Sequence, residues 1–255
     1  MRERIQKLLA SRGVGSRRQV EAWIEAGRIT VNGKPAVPGQ PVDGRDDVRL
    51  DGRRLRLGRA EESPHRGVAY HRPGQASRRM EGEEAPGTAE KLPSPGGHRW
   101  VPVSPLPARD AGLEIFVTDG TLAAALTRRS YAVTSEFSVR VRGDFEGPEL
   151  AERLRRAVES AGYRGRVEAV EPAGGEGSNR WIRLETTGLR AAELRDALAA
   201  AGLEANRILR TRYGPVAMDR ALARGRSRLL TAEELSALRE LAALQKPAGT
   251  RSPRR

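Results

Sequence analysis

The chain has 255 residues, with 46 basic against 33 acidic side chains and a formal net charge of +13 at neutral pH. Hydrophobic residues make up 38% and aromatics only 4%, so any core must be built from Leu, Val, Ala and Ile, in two modest domains or one large one with a tail. Cysteine is absent, which excludes disulfides, zinc ribbons and thiol catalysis; His65, His71 and His98 fall in loop-like sequence without metal-ligand spacing and read as solvated loop residues. The basic excess is uneven. The first sixty residues hold 14 basic and 7 acidic side chains, a net +7 in under a quarter of the chain. A surface this positive attracts polyanions, of which nucleic acid is the commonest large one. The N-terminus lacks an apolar h-region and no run approaches 18 apolar residues, so the expectation is a cytoplasmic protein with no membrane partner, no metal and no cofactor.

From Arg2 to Arg12, Ile5, Leu8 and Leu9 share one face at helical spacing, with Gly13 as a stop. Ser16-Arg17-Arg18-Gln19 has the form of a capping box, and Val20, Trp23 and Ile24 line the inner face of a second helix ending at Gly27. Ile29-Thr30-Val31 reads as a strand, Asn32-Gly33 as a type I′ turn, and Val48-Arg49-Leu50 as a further strand before Asp51-Gly52. Arg17 and Arg18 at a helix start suit phosphate, because free amides and guanidinium groups point the same way. A solvated helix start with two incidental arginines is the plainer alternative.

These residues, in order and spacing, resemble the small RNA-binding domain named after ribosomal protein four of the small subunit, over roughly residues 2–55. The resemblance implies that Arg12, Ser16, Arg17, Arg18, Arg28 and Lys34 face structured RNA.

Between Gly58 and Gly97 the sequence is rich in Gly, Pro, Glu and Arg and reads as a linker followed by a long irregular loop. Val68-Ala69-Tyr70 within it is strand-like. Further strands are expected at Trp100–Val103, Leu113–Val117, Phe137–Arg142, Arg164–Ala169, Trp181–Glu185 and Ile208–Arg212. Helices are expected at Thr121–Arg129, Pro148–Ala161, Ala191–Ala201 and Ala232–Leu244. Gly174-Gly175-Glu176-Gly177 lacks the lysine and helix start of a phosphate loop and reads as a hairpin connection. The basic end, Lys246–Arg255, lacks apolar periodicity and is expected to be disordered. Strands and helices are interspersed rather than alternating, which favours an α+β fold: a small helix-helix-hairpin domain, then a mixed, mainly antiparallel sheet. The boundaries expected are 1–58 for the small domain, 59–66 for a linker, 67–244 for the large domain with its irregular loop at 74–99, and 245–255 for the tail.

Tyr70-His71-Arg72-Pro73-Gly74 with Ser77-Arg78-Arg79, Trp100-Val101-Pro102-Val103, Thr118-Asp119-Gly120-Thr121-Leu122 and Asn206 to Val216 together resemble the RsuA/RluB-type family of ribosomal-RNA pseudouridine synthases. In that family the isomerisation depends on the aspartate of a Gly-Arg-Leu-Asp-x-x-Thr-x-Gly-Leu segment, a carboxylate beside the sugar acting as nucleophile or base. The matching stretch here is Ser104-Pro105-Leu106-Pro107-Ala108-Arg109-Asp110-Ala111-Gly112-Leu113, which puts Pro107 where the aspartate belongs. The family's tyrosine beside the target base corresponds to Phe137. Arg195 matches the arginine that pairs with the family's carboxylate. Kept without that partner, it is either a phosphate contact or a surface residue of an amphipathic helix.

Asp110, three residues along at the family's threonine position, is the one candidate for a relocated carboxylate; Asp119 reads as a turn residue. The resemblance therefore implies an RNA-binding protein, expected as a monomer on structured ribosomal RNA, with no catalytic residue at the family position. The alternative is an active synthase using Asp110.

Overall fold

The protein is described by a computed structural model covering residues 2–55, 65–74, 92–96, 98–143, 147–175 and 180–243. Residues 59–64 of the linker expected at 59–66, most of the irregular loop at 74–99 with Ser77-Arg78-Arg79, Glu176-Gly177 and the basic tail lie outside the described residues. Close contacts divide the chain into two units. One comprises residues 1–66 with 93–101 and 118–120; the other holds the rest.

The first unit begins with a two-residue strand, β1 (Glu3–Arg4), where a helix was expected; the helix α1 starts at Ile5 and runs to Ser11. The reason is pairing: Glu3 and Arg4 lie antiparallel to Val42 and Pro41 of β4 (Pro41–Val42). The α2 helix (Arg17–Glu25) opens with the expected capping box. The Gln19 amide donates to Ser16 Oγ at 3.1 Å, and the Ser16 amide donates to Gln19 Oε1 at 2.8 Å. A four-stranded sheet follows in the order β3 (Lys34–Pro35), β2 (Ile29–Val31), β5 (Val48–Leu50), β6 (Arg53–Arg54). Its two tight turns place Asn32 and Gly33 at φ 51° and 81°, and Asp51 and Gly52 at 50° and 76°, the paired positive values of type I′. Ile5, Leu9, Val20, Ile24, Ile29 and Val48 close its core.

The second unit is built on one mixed sheet ordered β11 (Arg166–Pro172), β12 (Arg180–Thr187), β10 (Thr134–Arg142), β13 (Glu204–Tyr213), β9 (Ala111–Val117), β7 (Gly67–Arg72), β15 (Ser227–Leu229). The short strands β8 (Val101–Val103) and β14 (Val216–Ala217) pair with β9 and β13. Neighbours are antiparallel along this order except at β13 and β9, which run parallel over two residue pairs, Leu209 with Ala111 and Arg210 with Gly112. The α3 helix (Gly120–Arg128) follows β9, and α6 (Ala232–Ala243) closes the described chain.

Strict alternation on β10 sends Phe137, Val139 and Val141 to one face. There they meet Leu150, Leu154 and Val158 of α4 (Gly147–Ser160), and Leu194, Ala197 and Leu198 of α5 (Ala191–Ala200). The α+β architecture expected from the sequence is the one observed, with the strand at 227–229 as an addition. Among the described residues no helix is long and apolar enough to cross a membrane.

Candidate RNA interface and candidate synthase site

At the start of α2, Arg17 and Arg18 are exposed and make no hydrogen bond or ion pair with other described residues. Arg28 is differently placed. Its Nε and Nη2 donate to Asp51 Oδ1 and Oδ2 at 2.9 and 2.5 Å, and its guanidinium lies 5.7 Å from the Trp23 ring centre. The hydrogen bond to Arg28 holds the Asp51 carboxyl below its ordinary range. Arg28 is thus an anchored cation, whereas the Arg17 and Arg18 side chains are unengaged among the described residues. Arg12 is half-buried, with Nε and Nη1 enclosed and unbonded, and Lys34 is exposed on β3.

Two of the three histidines depart from the reading of solvated loops, while His65 is exposed as expected. His98 is 9% exposed, 5.3 Å from the His65 ring, and His71 Nδ1 lies 2.8 Å from the Leu222 carbonyl. Loop-like sequence does not reveal that a chain segment is packed over.

The segment Ser104–Asp110 is fixed by buried charge. Arg72 Nη1 donates to Glu114 Oε1 at 2.8 Å and to the Leu106 carbonyl at 2.6 Å, while the Leu106 amide donates to the same carboxylate oxygen at 2.9 Å. Arg210, 3% exposed, donates to the carbonyls of Leu113 and Ser104 at 2.8 and 2.9 Å and to Ser104 Oγ at 3.1 Å. Burial pulls its guanidinium down to about 10. Ser104 itself takes φ 54°, a left-handed conformation uncommon outside glycine, at the position matching the family's glycine. Gly112, at φ 104°, lets β9 meet β13: a Cβ there would fall 2.3 Å from the Arg210 carbonyl oxygen.

Within this frame the Asp110 amide donates to the Pro107 carbonyl at 3.0 Å, closing a tight turn, and Pro107 is half-buried. Asp110 is fully buried. Arg195 Nη2 donates to Asp110 Oδ1, and Arg195 Nη1 to the Ala205 carbonyl. This corrects the expectation that Arg195 stands without a carboxylate partner; neither an exposed surface role nor a free phosphate contact fits its 14% exposed side chain. The sequence hides the pair because its members are 85 residues apart. Asp110 Oδ2 and Arg195 Nε, both enclosed, have no partner. Burial pushes the Asp110 carboxyl up, outweighing the pull of Arg195. Phe137, 1% exposed, sits in the apolar cluster that Leu106 also joins. No group of three His, Cys, Asp or Glu side chains able to hold a metal occurs among the described residues.

A small helix-helix-hairpin unit followed by a mixed sheet carrying this loop defines an RNA-binding domain joined to a pseudouridine-synthase fold. The S4 domain model matches residues 3–55. A solved pseudouridylate synthase is similar in fold, with a TM-score of 0.58 at 17% identity, covering 92% of this chain and 99% of that one. Ribosomal large subunit pseudouridine synthase B of Yersinia pestis is 36% identical over 247 residues, covering 96% of this chain and 77% of that protein. The Pseudomonas aeruginosa protein of that name is 38% identical over 240 residues; those cover 93% of this chain and 62% of that protein's length. The chain belongs to the RluB/RsuA-type ribosomal-RNA pseudouridine synthase family.

Proposed function

We propose that the protein binds structured ribosomal RNA of the large subunit, in the cytoplasm and as a monomer, without isomerising uridine. The reading rests on the resemblance, which puts Pro107 at the family's aspartate position, and on one observation: the nearest alternative carboxylate, Asp110, is wholly enclosed and held by Arg195. A carboxylate with no exposed surface does not reach a sugar carbon. The proline adds no ionisable group and fixes the loop's φ. The S4 domain and the uneven positive charge support RNA as the ligand.

The ion pair between Asp110 and Arg195 favours a second reading. The resemblance gives the family's arginine a carboxylate partner, and here Asp110 supplies it from the neighbouring turn, with one oxygen unclaimed. In that reading the loop opens on RNA and Asp110 serves as the carboxylate.

Incubation of the purified protein with large-subunit ribosomal RNA, followed by pseudouridine mapping, separates the two. No pseudouridine is expected. Loss of a catalytic group costs about 10⁴-fold or more in rate. Robust formation by the wild type, abolished by Asp110→Asn, would install Asp110 as the catalytic group and end the non-catalytic reading.

A further inference from the structure

The face of the sheet turned away from α4 and α5 carries an unbalanced charge. On β10 the residues alternating with the core positions are Glu136, Ser138 and Arg140. The register puts Arg140 directly opposite Trp181 of β12 on one side and Arg207 of β13 on the other. Four residues along β10, the same face carries Glu136 opposite Glu185 and Arg212. There Arg212 bonds Glu136 at 2.7 Å and Glu185 at 3.2 Å, so the one cation of that rung is fully engaged by carboxylates. The Trp181–Arg140–Arg207 rung has no carboxylate. Neither arginine makes a hydrogen bond or ion pair with any described residue, and the same holds for the exposed Arg224. Arg224 and Arg140 both add repulsion to the burial that already pulls the Arg207 guanidinium down.

Like charges directly opposite on neighbouring strands destabilise a sheet. A fold that places two such arginines together beside a third, with a half-buried indole completing the row, is completed by an anion that also offers a flat surface. We infer that Trp181, Arg140, Arg207 and Arg224 form a second RNA contact, in which the arginines hold successive phosphates and a base stacks on Trp181. Guanidinium groups match phosphate oxygens in forked geometry, and stacking on an aromatic ring accepts any base. An acidic protein segment would satisfy the charges but leave the indole without a planar partner. The inference rests on the RNA-binding reading above and adds a site outside the S4 domain.

The test uses the full chain and a labelled uridine-containing stem-loop RNA, with affinity measured across a salt series. Arg140→Gln/Arg207→Gln is expected to bind more weakly and to lower the slope of log affinity against log salt by about 1.4 to 1.8, two phosphates at about 0.7 each on single strands or 0.9 on duplex. The control Arg155→Gln/Arg156→Gln removes the same charge from α4, on the other face, where both arginines pair with Glu152; its slope is expected to stay near that of the wild type. Without RNA, the Arg140→Gln/Arg207→Gln variant is expected to melt no lower than the wild type, because repulsion has been relieved. A wild type that fails to bind would overturn the RNA-binding reading and this site together. A wild type that binds, with the Arg140→Gln/Arg207→Gln variant keeping its slope or the control falling as far, would overturn this site alone.

Discussion

Arg195 reaches from α5 to Asp110, the residue before β9, and donates to one oxygen of a carboxylate that is wholly buried. Breaking a buried pair from one side leaves an uncompensated charge, which typically costs about 3–5 kcal/mol. Arg195→Ala is therefore expected to destabilise the synthase unit by roughly that amount. Asp110→Asn/Arg195→Met should cost clearly less than the two single changes added together, since both partners go at once. Denaturant titration of the four proteins measures the coupling; strict additivity would mean the pair contributes nothing.

The same pair sets a pH dependence. Burial raises the folded-state value of Asp110 above its ordinary 3.8, so between the two values the folded protein binds more protons than the unfolded chain. Stability contributed by this group must then increase as pH falls through the raised value, and level off below 3.8. The wild type should gain stability relative to Asp110→Asn as pH is lowered through that window. A difference that stays flat would mean that the carboxyl is not shifted on folding, and one that runs the other way that Arg195 depresses it.

On the non-catalytic reading proposed above, introducing the family's residues at 107 and 137 is not expected to produce its chemistry. Pro107→Asp supplies a carboxylate, but Arg195 is already engaged by Asp110. Phe137→Tyr adds a hydroxyl to a ring only 1% exposed inside an apolar cluster, at a cost of about 1–3 kcal/mol unless it finds a partner. Little or no pseudouridine should form with the double change, and thermal melting should register the cost of the tyrosine.

Gly112 admits no side chain. A Cβ there meets Arg210 backbone atoms at 2.3 and 2.6 Å, at a φ that L-residues seldom adopt. Gly112→Ala should cost more than about 2 kcal/mol, beyond the usual surface substitution. Equilibrium unfolding of this variant gives the number directly.

In the S4 unit, Arg17→Glu/Arg18→Glu should weaken binding to ribosomal RNA fragments and flatten its salt dependence, by a slope of about 0.9 for each duplex phosphate no longer neutralised. Circular dichroism should remain that of the wild type, because neither side chain bonds to other described residues and the Ser16–Gln19 cap is untouched. Unchanged affinity and slope would remove this helix start from the interface.

Much of this was legible from local pattern. The Ser16–Gln19 cap, the Asn32-Gly33 turn and the two-residue period of Phe137–Arg142 each belong to a few consecutive residues, and each forms where the pattern places it. What stayed hidden depends on distant partners. Glu3–Arg4 is a strand because Pro41–Val42 lies beside it, and Ser227–Leu229 is one because it pairs with Tyr70, Ala69 and Val68. The site divides the same way: the Ser104–Asp110 segment could be singled out by its resemblance alone, whereas the Asp110–Arg195 and Arg72–Glu114 pairs are products of packing. The Arg140–Arg207 opposition needed the register of β10 on β13, bulges included.

The short parallel seam of β13 on β9 has a consequence for the order of assembly. On one side of it, β10, β11, β12 and β13 come from the continuous stretch 134–213; on the other, β7, β9 and β15 gather residues 67–72, 111–117 and 227–229, which bracket that stretch. Closing short loops is cheaper in chain entropy than joining distant segments. The continuous block should therefore fold first and the bracketing strands dock on it afterwards. The tight approach of Gly112 to Arg210 then belongs to the last step, so that Gly112→Ala should leave the refolding rate nearly unchanged and instead hasten unfolding.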